Sequence, residues 1–239
     1  MPGLIKSEAV VLRSIRYGEA DRILHLYTPQ RGRLGAIAKG VRRSRSRFGG
    51  RLEPFFRLDL LLHEGRGELL TVTGAETIAA YPRLREHGGS LDVAARACDA
   101  VARLFDGEEP HPAVYHLLCN EFALLDSDPA KAGAANALAF RLKLLVAAGL
   151  TPQLAACASC DATEDLVGFS GAAGGVVCAA CEASAFPFGE EAHAFLVAAL
   201  GAPLSEAPAA TPSALRQAER AIGETVEHHA HVRLRPAVA

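Results

Sequence analysis

The hydrophobic period of this chain changes from strand-like to helical near residue 81, and that change limits the fold more than any other feature. Before it, residues 7–13, 22–28, 33–39, 55–62 and 69–73 are short runs rich in Val, Ile, Leu and Tyr. Most are separated by turn-forming clusters such as Tyr17-Gly18-Glu19, Gln30-Arg31-Gly32 and Glu64-Gly65-Arg66-Gly67. In the fourth run Phe56, Leu58, Leu60 and Leu62 point one way, and Arg57, Asp59 and Leu61 the other. Five short strands, with a longer excursion between the third and fourth, predict a small OB-type barrel.

From Pro82 the apolar spacing is helical. Ser90 is the expected N-cap of a helix over 91–105, with Asp92 in its first turn. A second helix is expected over 112–125. Asp128-Pro129 opens a third, which runs through Ala139, Leu142 and Leu145 to Gly149. Residues 190–200 form another, and Thr211-Pro212 starts a last one through Leu215, Ala218, Ile222 and Val226 towards His229. Residues 203–212 read as a solvated connector. Cys98 and Cys119 lie on apolar helix faces and are expected as small core residues. The fold class is therefore α+β and multidomain. An OB-fold β-barrel occupies residues 1–80, and an α-helical domain comes in two parts, 81–150 and 189–239. A module carrying cysteine pairs is inserted at 151–188.

That module holds Cys157-Ala158-Ser159-Cys160 and, after 17 residues, Cys178-Ala179-Ala180-Cys181. Two C-x2-C pairs place four thiolates where they can surround one Zn2+ tetrahedrally. Between them, residues 166–169 and 175–177 read as two strands of a hairpin, a zinc-ribbon-like layout. Four thiolates leave no open coordination position, so one structural Zn2+ per chain is expected rather than a catalytic one. A small module poor in large apolar residues needs such a staple.

Charge is distributed unevenly. Residues 1–80 carry 14 Lys and Arg against 8 Asp and Glu, a net +6, whereas residues 81–239 carry 11 against 19, a net −8. Nine basic residues fall between positions 22 and 51: Arg22, Arg31, Arg33, Lys39, Arg42, Arg43, Arg45, Arg47 and Arg51. No Asp or Glu lies between Asp21 and Glu53. Mutual repulsion among these groups calls for an anionic partner, and the densest part occupies the excursion between strands three and four. Tyr17, Tyr27, Phe48 and Phe55 lie among the charges. Tyr27 and Phe55 are expected in the core, and Phe48, between Arg47 and Gly49, is the best candidate for stacking on a base. With few aromatics, phosphate contacts should dominate, giving little sequence preference and strong salt dependence. The residues alone leave DNA, RNA, and a protein-interaction adaptor working through the acidic helical half all open.

Catalytic patterns are not met. There is no H-E-x-x-H, no H-x-E ahead of a P-C-x-x-C, and neither G-x-x-x-x-G-K-[ST] nor G-x-G-x-x-G. Acidic pairs such as Asp126/Asp128 and Glu190/Glu191 sit at predicted helix ends, and His193, His228, His229 and His231 read as surface or inter-helix residues. Residues 1–8 lack the features of a signal peptide, and no apolar stretch is long and charge-free enough to span a membrane. Together with thiols spaced for metal, this leads to the expectation of a soluble cytoplasmic protein with no membrane partner.

Several segments, in order and at matching spacing, resemble the opening of the RecO family of recombination-repair mediators. They are Glu8-Ala9-Val10-Val11-Leu12-Arg13, Tyr17-Gly18-Glu19-Ala20-Asp21-Arg22-Ile23-Leu24, Thr28, Gly32-Arg33, Ala38-Lys39-Gly40-Val41-Arg42-Arg43, Ser46-Arg47-Phe48 and Leu52-Glu53-Pro54-Phe55. Gly149-Leu150-Thr151-Pro152, leading into the cysteine pairs, continues the likeness, while Arg233-Leu234-Arg235-Pro236 departs from the family's Lys/Arg-Ser ending. The resemblance implies an OB fold, a helical domain, a zinc module and no catalytic turnover. It implies binding to single- and double-stranded DNA and annealing of complementary strands. Cooperation with the partner RecR, in some cases with the single-strand-binding protein SSB, and indirectly with RecA, which is loaded at gaps and breaks, is also implied. Such a protein would associate with the nucleoid. Some relatives lack the cysteines, which makes the metal scaffold rather than mechanism.

Overall fold

The computed structural model describes residues 3–43, 46, 48, 50–65 and 67–237. Strand β1 (Leu4–Tyr17) is long enough to serve two neighbours. Its first half pairs with β4 (Arg57–His63), and its second half with β2 (Asp21–Thr28). The register shifts between Val11 and Arg13, an irregularity that bends the strand from one partner to the other. β2 pairs with β3 (Gly32–Ala38), which meets β5 (Leu70–Ala79) in parallel at Ala36↔Leu70 and Ile37↔Thr71. β5 returns antiparallel to β4, closing the barrel in the order β1-β2-β3-β5-β4. This is the OB barrel expected from the strand pattern.

Alternation fills the barrel. Leu24 and Leu26 of β2, Leu34, Ala36 and Ala38 of β3, and Leu58, Leu60 and Leu62 of β4 are buried in one cluster. Phe48 and Leu52, from the connection between β3 and β4, join that cluster, with Val41 packed against it. Each such fully buried side chain contributes about 1.5–3 kcal/mol. The connection is therefore anchored by its own apolar residues.

A linear boundary at residue 80 does not separate the compact units. The first unit is Met1–Gly88 with Phe105–Ser127, and so includes α1 (Pro82–Glu86) and α3 (Pro112–Ser127) beside the barrel. Tyr115 of α3 donates its hydroxyl to Glu8 Oε2 at 2.9 Å, and Arg57 Nη2 donates to the same oxygen at 2.7 Å. Phe122 packs edge-on against Phe55 at 5.5 Å and Tyr81 at 5.7 Å. The segment ahead of α3 covers the β2–β3 turn, where the Arg33 N–H donates to the Gly107 carbonyl at 3.0 Å. Gly32 there has φ +56°, and a Cβ on it would lie 2.4 Å from the Glu109 carbonyl oxygen, so only glycine fits.

The second unit is Gly89–Leu104 with Asp128–Ala239. Its helices are α2 (Gly88–Leu104), α4 (Ala134–Ala147), α5 (Glu190–Gly201) and α6 (Pro212–Ala230). Ser90 is not the cap of α2. The helix starts at Gly88 and Ser90 is fully buried within it, away from the exposed end where a cap acts. Asp128 instead caps a single turn at Pro129–Lys131, accepting from the Ala130 N–H at 3.1 Å, and α4 begins three residues later. Gly149, at φ +73°, ends α4, with the Leu150 N–H bonded back to the Leu145 carbonyl at 2.8 Å. Cys98 and Cys119 are buried in α2 and α3, as expected of small core residues. Thr211 caps α6 through the Ala214 N–H.

The cysteine module contains β6 (Leu166–Ser170) and β7 (Gly175–Cys178), antiparallel as the hairpin pattern predicts. A third short strand, β8 (Phe186–Pro187), pairs with β6 and was not legible from its two residues. Phe169, Phe186 and Phe188 gather into one aromatic cluster, with ring centroids 5.4 Å apart for Phe169 and Phe188.

Candidate nucleic-acid interface and metal centre

The basic connection is pinned at both ends by the β1–β2 turn. The Gly40 N–H donates to Asp21 Oδ1 at 2.8 Å, and the Arg42 N–H to the Ala20 carbonyl at 2.9 Å. At the far end, Arg22 pairs with Glu53 at 2.8 Å and donates to Ser14 Oγ at 3.0 Å. The side chain of Arg22 is 17 % exposed, so this group of the charged run is committed to holding the connection. Arg31 is also engaged, by Glu108 at 3.1 Å and Glu64 at 3.9 Å. Arg33 donates to His25 Nδ1 at 3.1 Å. By contrast Lys39, Arg42 and Arg43 are exposed, and no carboxylate among the described residues lies within ion-pair distance of them. Arg51 is exposed as well. Arg45 and Arg47 lie outside the described residues.

Phe48 is a correction. It is 2 % exposed and sits in the barrel cluster, so it cannot offer a face to a base. A phenyl ring in a polar connection gains more by leaving water for the barrel interior than by standing between arginines. Tyr27 and Phe55 are buried as expected, and among the four aromatics only Tyr17 is exposed, at 54 %. Arg13 and Arg16, on β1 and outside the charged run, are exposed cations that a reading centred on residues 22–51 passed over. The signal was their placement two and one residues from Ile15 and Tyr17 along one strand.

Burial, then the neighbouring Arg33 and Arg13 guanidinium groups, hold the His25 imidazole below its usual pKa. It is accordingly neutral at neutral pH.

In the second unit the Sγ atoms of Cys157, Cys160, Cys178 and Cys181 all lie within 4.8 Å of one another, and those of Cys160 and Cys178 are 3.6 Å apart. Tetrahedral Zn–S bonds of about 2.3 Å require sulfurs about 3.8 Å apart, so the spacing fits. Backbone N–H groups of Cys178, Ser159 and Cys160 point at Cys157 Sγ and pull that thiol down to about 6. The Ala162 N–H donates to Cys160, yet the Cys157 and Cys178 thiols outweigh it and raise Cys160. Cys160 and Cys178 together push Cys181 up to about 12. At this distance the thiols resist ionising together, and all four would do so only around a cation, which is what a divalent metal supplies. The four cysteines can hold a metal ion, with no fifth side chain needed. Two histidines fix the module to its helices: His193 Nε2 lies 2.7 Å from the Leu154 carbonyl, and His229 Nε2 lies 2.8 Å from the Gly171 carbonyl. Gly171 packs so closely on α6 that a Cβ would lie 2.6 Å from that of Glu224.

Family models described as the N-terminal and C-terminal regions of recombination protein O match residues 1–81 and 88–236. The chain belongs to the RecO family. It is 41 % identical over 186 residues to the DNA repair protein RecO of Rubrobacter xylanophilus, covering 77 % of this chain and 74 % of that one. It is 36 % identical over 239 residues to the DNA repair protein RecO of Anaeromyxobacter sp. (strain K), covering 96 % and 93 %. The counterpart from Bifidobacterium animalis subsp. lactis is 43 % identical over 180 residues, 73 % of each chain. Membership supports a role in recombination repair, in a family of DNA repair mediators that is not a known enzyme class, and implies interaction with DNA. Among the described residues no helix is long and apolar enough to cross a membrane.

Proposed function

We propose that this chain is a non-enzymatic recombination mediator that binds single- and double-stranded DNA through the β3–β4 connection of its barrel and anneals complementary strands. The observation that carries this reading is the contrast within one loop. Phe48, Leu52, Asp21 and Arg22 hold it to the barrel, while Lys39, Arg42 and Arg43 stand exposed with no carboxylate partner among the described residues. Annealing requires two phosphate backbones to be screened and brought together without the bases being locked. A pinned loop of exposed cations can do this, because its contacts are electrostatic and carry no base readout. Family membership supports cooperation with RecR, and in some settings with SSB, to load RecA, within the cytoplasm at the nucleoid. The four-thiolate site is read as one structural Zn2+.

The test is a strand-annealing assay at several salt concentrations, with Arg42, Arg43, Arg45 and Arg47 changed together to Ala. The affinity should fall, and the log–log salt slope should flatten by about 0.9 per lost contact on duplex and about 0.7 on single strands. Unchanged affinity and slope would remove the loop as the site.

A further inference from the structure

We infer that the second unit holds a site for a small oxyanion of the phosphate class. The site is a cavity between α6 and the chain that follows it, with the buried guanidinium of Arg141 in its wall. The inference is independent of the DNA-binding reading and concerns the second unit alone.

The chain after α6 forms a strap. His231, at φ +55°, takes the left-handed conformation that ends the helix and turns the chain. Residues 232–237 then run back along α6. Arg233 pairs with Glu227 at 3.2 Å, and the Ala237 N–H donates to Glu219 Oε1. Those two glutamates are about 12 Å apart along the helix, and the chain from Arg233 to Ala237 spans about 13 Å when extended, so the strap is nearly taut between them. From α2, Arg96 donates to the Pro236 carbonyl at 2.8 Å, and Asp99 lies 3.8 Å from Arg235. Midway between Glu219 and Glu227, one turn from each, stands Gly223. A Cβ on it would meet nothing within 4 Å. The missing side chain helps to leave a cavity of about 330 Å3 between helix and strap, with Leu234 on the strap side and Arg141 of α4 in the wall.

Arg141 differs from the other cations of the lining. Its side chain is only 6 % exposed. The one carboxylate within ion-pair distance of it among the described residues is Glu219, at 3.6 Å, which is too long for a hydrogen bond. The same Glu219 oxygen already accepts the Ala237 N–H. No acceptor among the described residues takes a hydrogen bond from this guanidinium. The remaining cations are matched. Arg220 donates to Glu224 at 2.8 Å and lies over the Phe186 ring at 4.0 Å, Arg233 meets Glu227, and Arg235 meets Asp99. Burial pulls the Arg141 pKa down to about 10, so the group is still charged at neutral pH. A buried charge without its hydrogen bonds is costly, and a bound oxyanion would offset that cost. The planar guanidinium fork matches two oxygens of a phosphate or sulfate at once. The cavity has room for such an anion together with waters on its other oxygens.

Isothermal titration of the full chain with inorganic phosphate, at constant ionic strength, tests the site. A single saturable site is expected, with sulfate competing and chloride not. Arg141→Met should weaken phosphate binding by roughly 10- to 150-fold, the loss of one charge-assisted hydrogen-bonding group. Gly223→Leu fills the cavity from a position whose Cβ is unobstructed and leaves Arg141 in place. It should abolish binding while the thermal midpoint holds or rises, since leucine is the better helix former. That pairing of lost binding with retained stability separates a blocked site from an unfolded protein. No phosphate binding by the unsubstituted chain would overturn the site, as would competition by chloride equal to that by sulfate. Equal affinity in the unsubstituted chain and both variants would also overturn it, and would mean an adventitious ion only.

Discussion

The β3–β4 connection and the cysteine module are both short of regular structure, and they are held in opposite ways. The connection is held by an inserted phenyl ring, an inserted leucine and an ion pair that ties its far end to β2. These anchors leave Lys39, Arg42 and Arg43 without a carboxylate partner among the described residues. The module is held by four sulfurs on one centre, three phenyl rings and two histidines bonded to backbone carbonyls. There the four thiols converge on one point, and a metal bound by them would be the fastening. An irregular segment that turns its charge outward is built for a partner. One that turns its charge on a single point is built for its own stability.

The largest effect expected from breaking this contrast is in the module. Cys160→Ser with Cys178→Ser should lose about one equivalent of zinc by metal analysis. Limited proteolysis should then cut within residues 151–188, since the metal supplies much of the folding energy of such sites. DNA affinity should stay within about twofold. Retained zinc would rule out the four-thiolate site.

Next comes Phe48. As a core residue its change to Ala should cost about 3–5 kcal/mol in chemical denaturation. A stacking residue would leave stability unchanged and lower affinity alone, so one denaturation curve sharpens the assignment. Arg22→Met should cost about 1 kcal/mol and weaken DNA binding through a looser connection, with the salt slope unchanged. Arg42→Ala with Arg43→Ala should do the reverse, flattening the slope at constant stability. Equal slopes for the two variants would mean that Arg22 reaches the phosphate.

The smallest effect is on acid stability. Hydrogen bonds from Arg57, and then from Tyr115, hold the Glu8 carboxyl below its ordinary value of 4.5 despite partial burial. A depressed carboxylate contributes stability that is full above the unfolded-state value and is lost as pH falls through the folded-state value. Glu8→Gln should therefore lower stability at neutral pH, with the difference from the unsubstituted protein closing below pH 4.5. A difference that is constant with pH would show that the carboxylate charge is irrelevant to the α3–barrel contact.

Legibility varied with the range of the interaction. The alternation of Leu58, Leu60 and Leu62 and the spacing of the cysteine pairs are local, and both were readable in the chain. The long β1 was read as a shorter strand, because its turn-ward half bears the exposed Arg13, Arg16 and Tyr17 and does not look buried. Phe48 was misplaced for a related reason: its neighbours in sequence are polar, and it shares a buried cluster with leucines from four strands. The pairing of Ile15 with Ile23, and of Ile23 with Ile37, was not legible either, since each belongs to a different strand and only register brings them together.

The sequence by itself determined the barrel followed by helices, the four-thiolate centre and the excess of cations in the first 80 residues, because period, spacing and composition are properties of neighbouring positions. Only the tertiary structure decided which cations are spent and which are available. Arg22 meets Glu53 across 31 positions, and Arg31 meets Glu108 across 77. An ion pair forms by distance in space, and distance in space is what folding supplies.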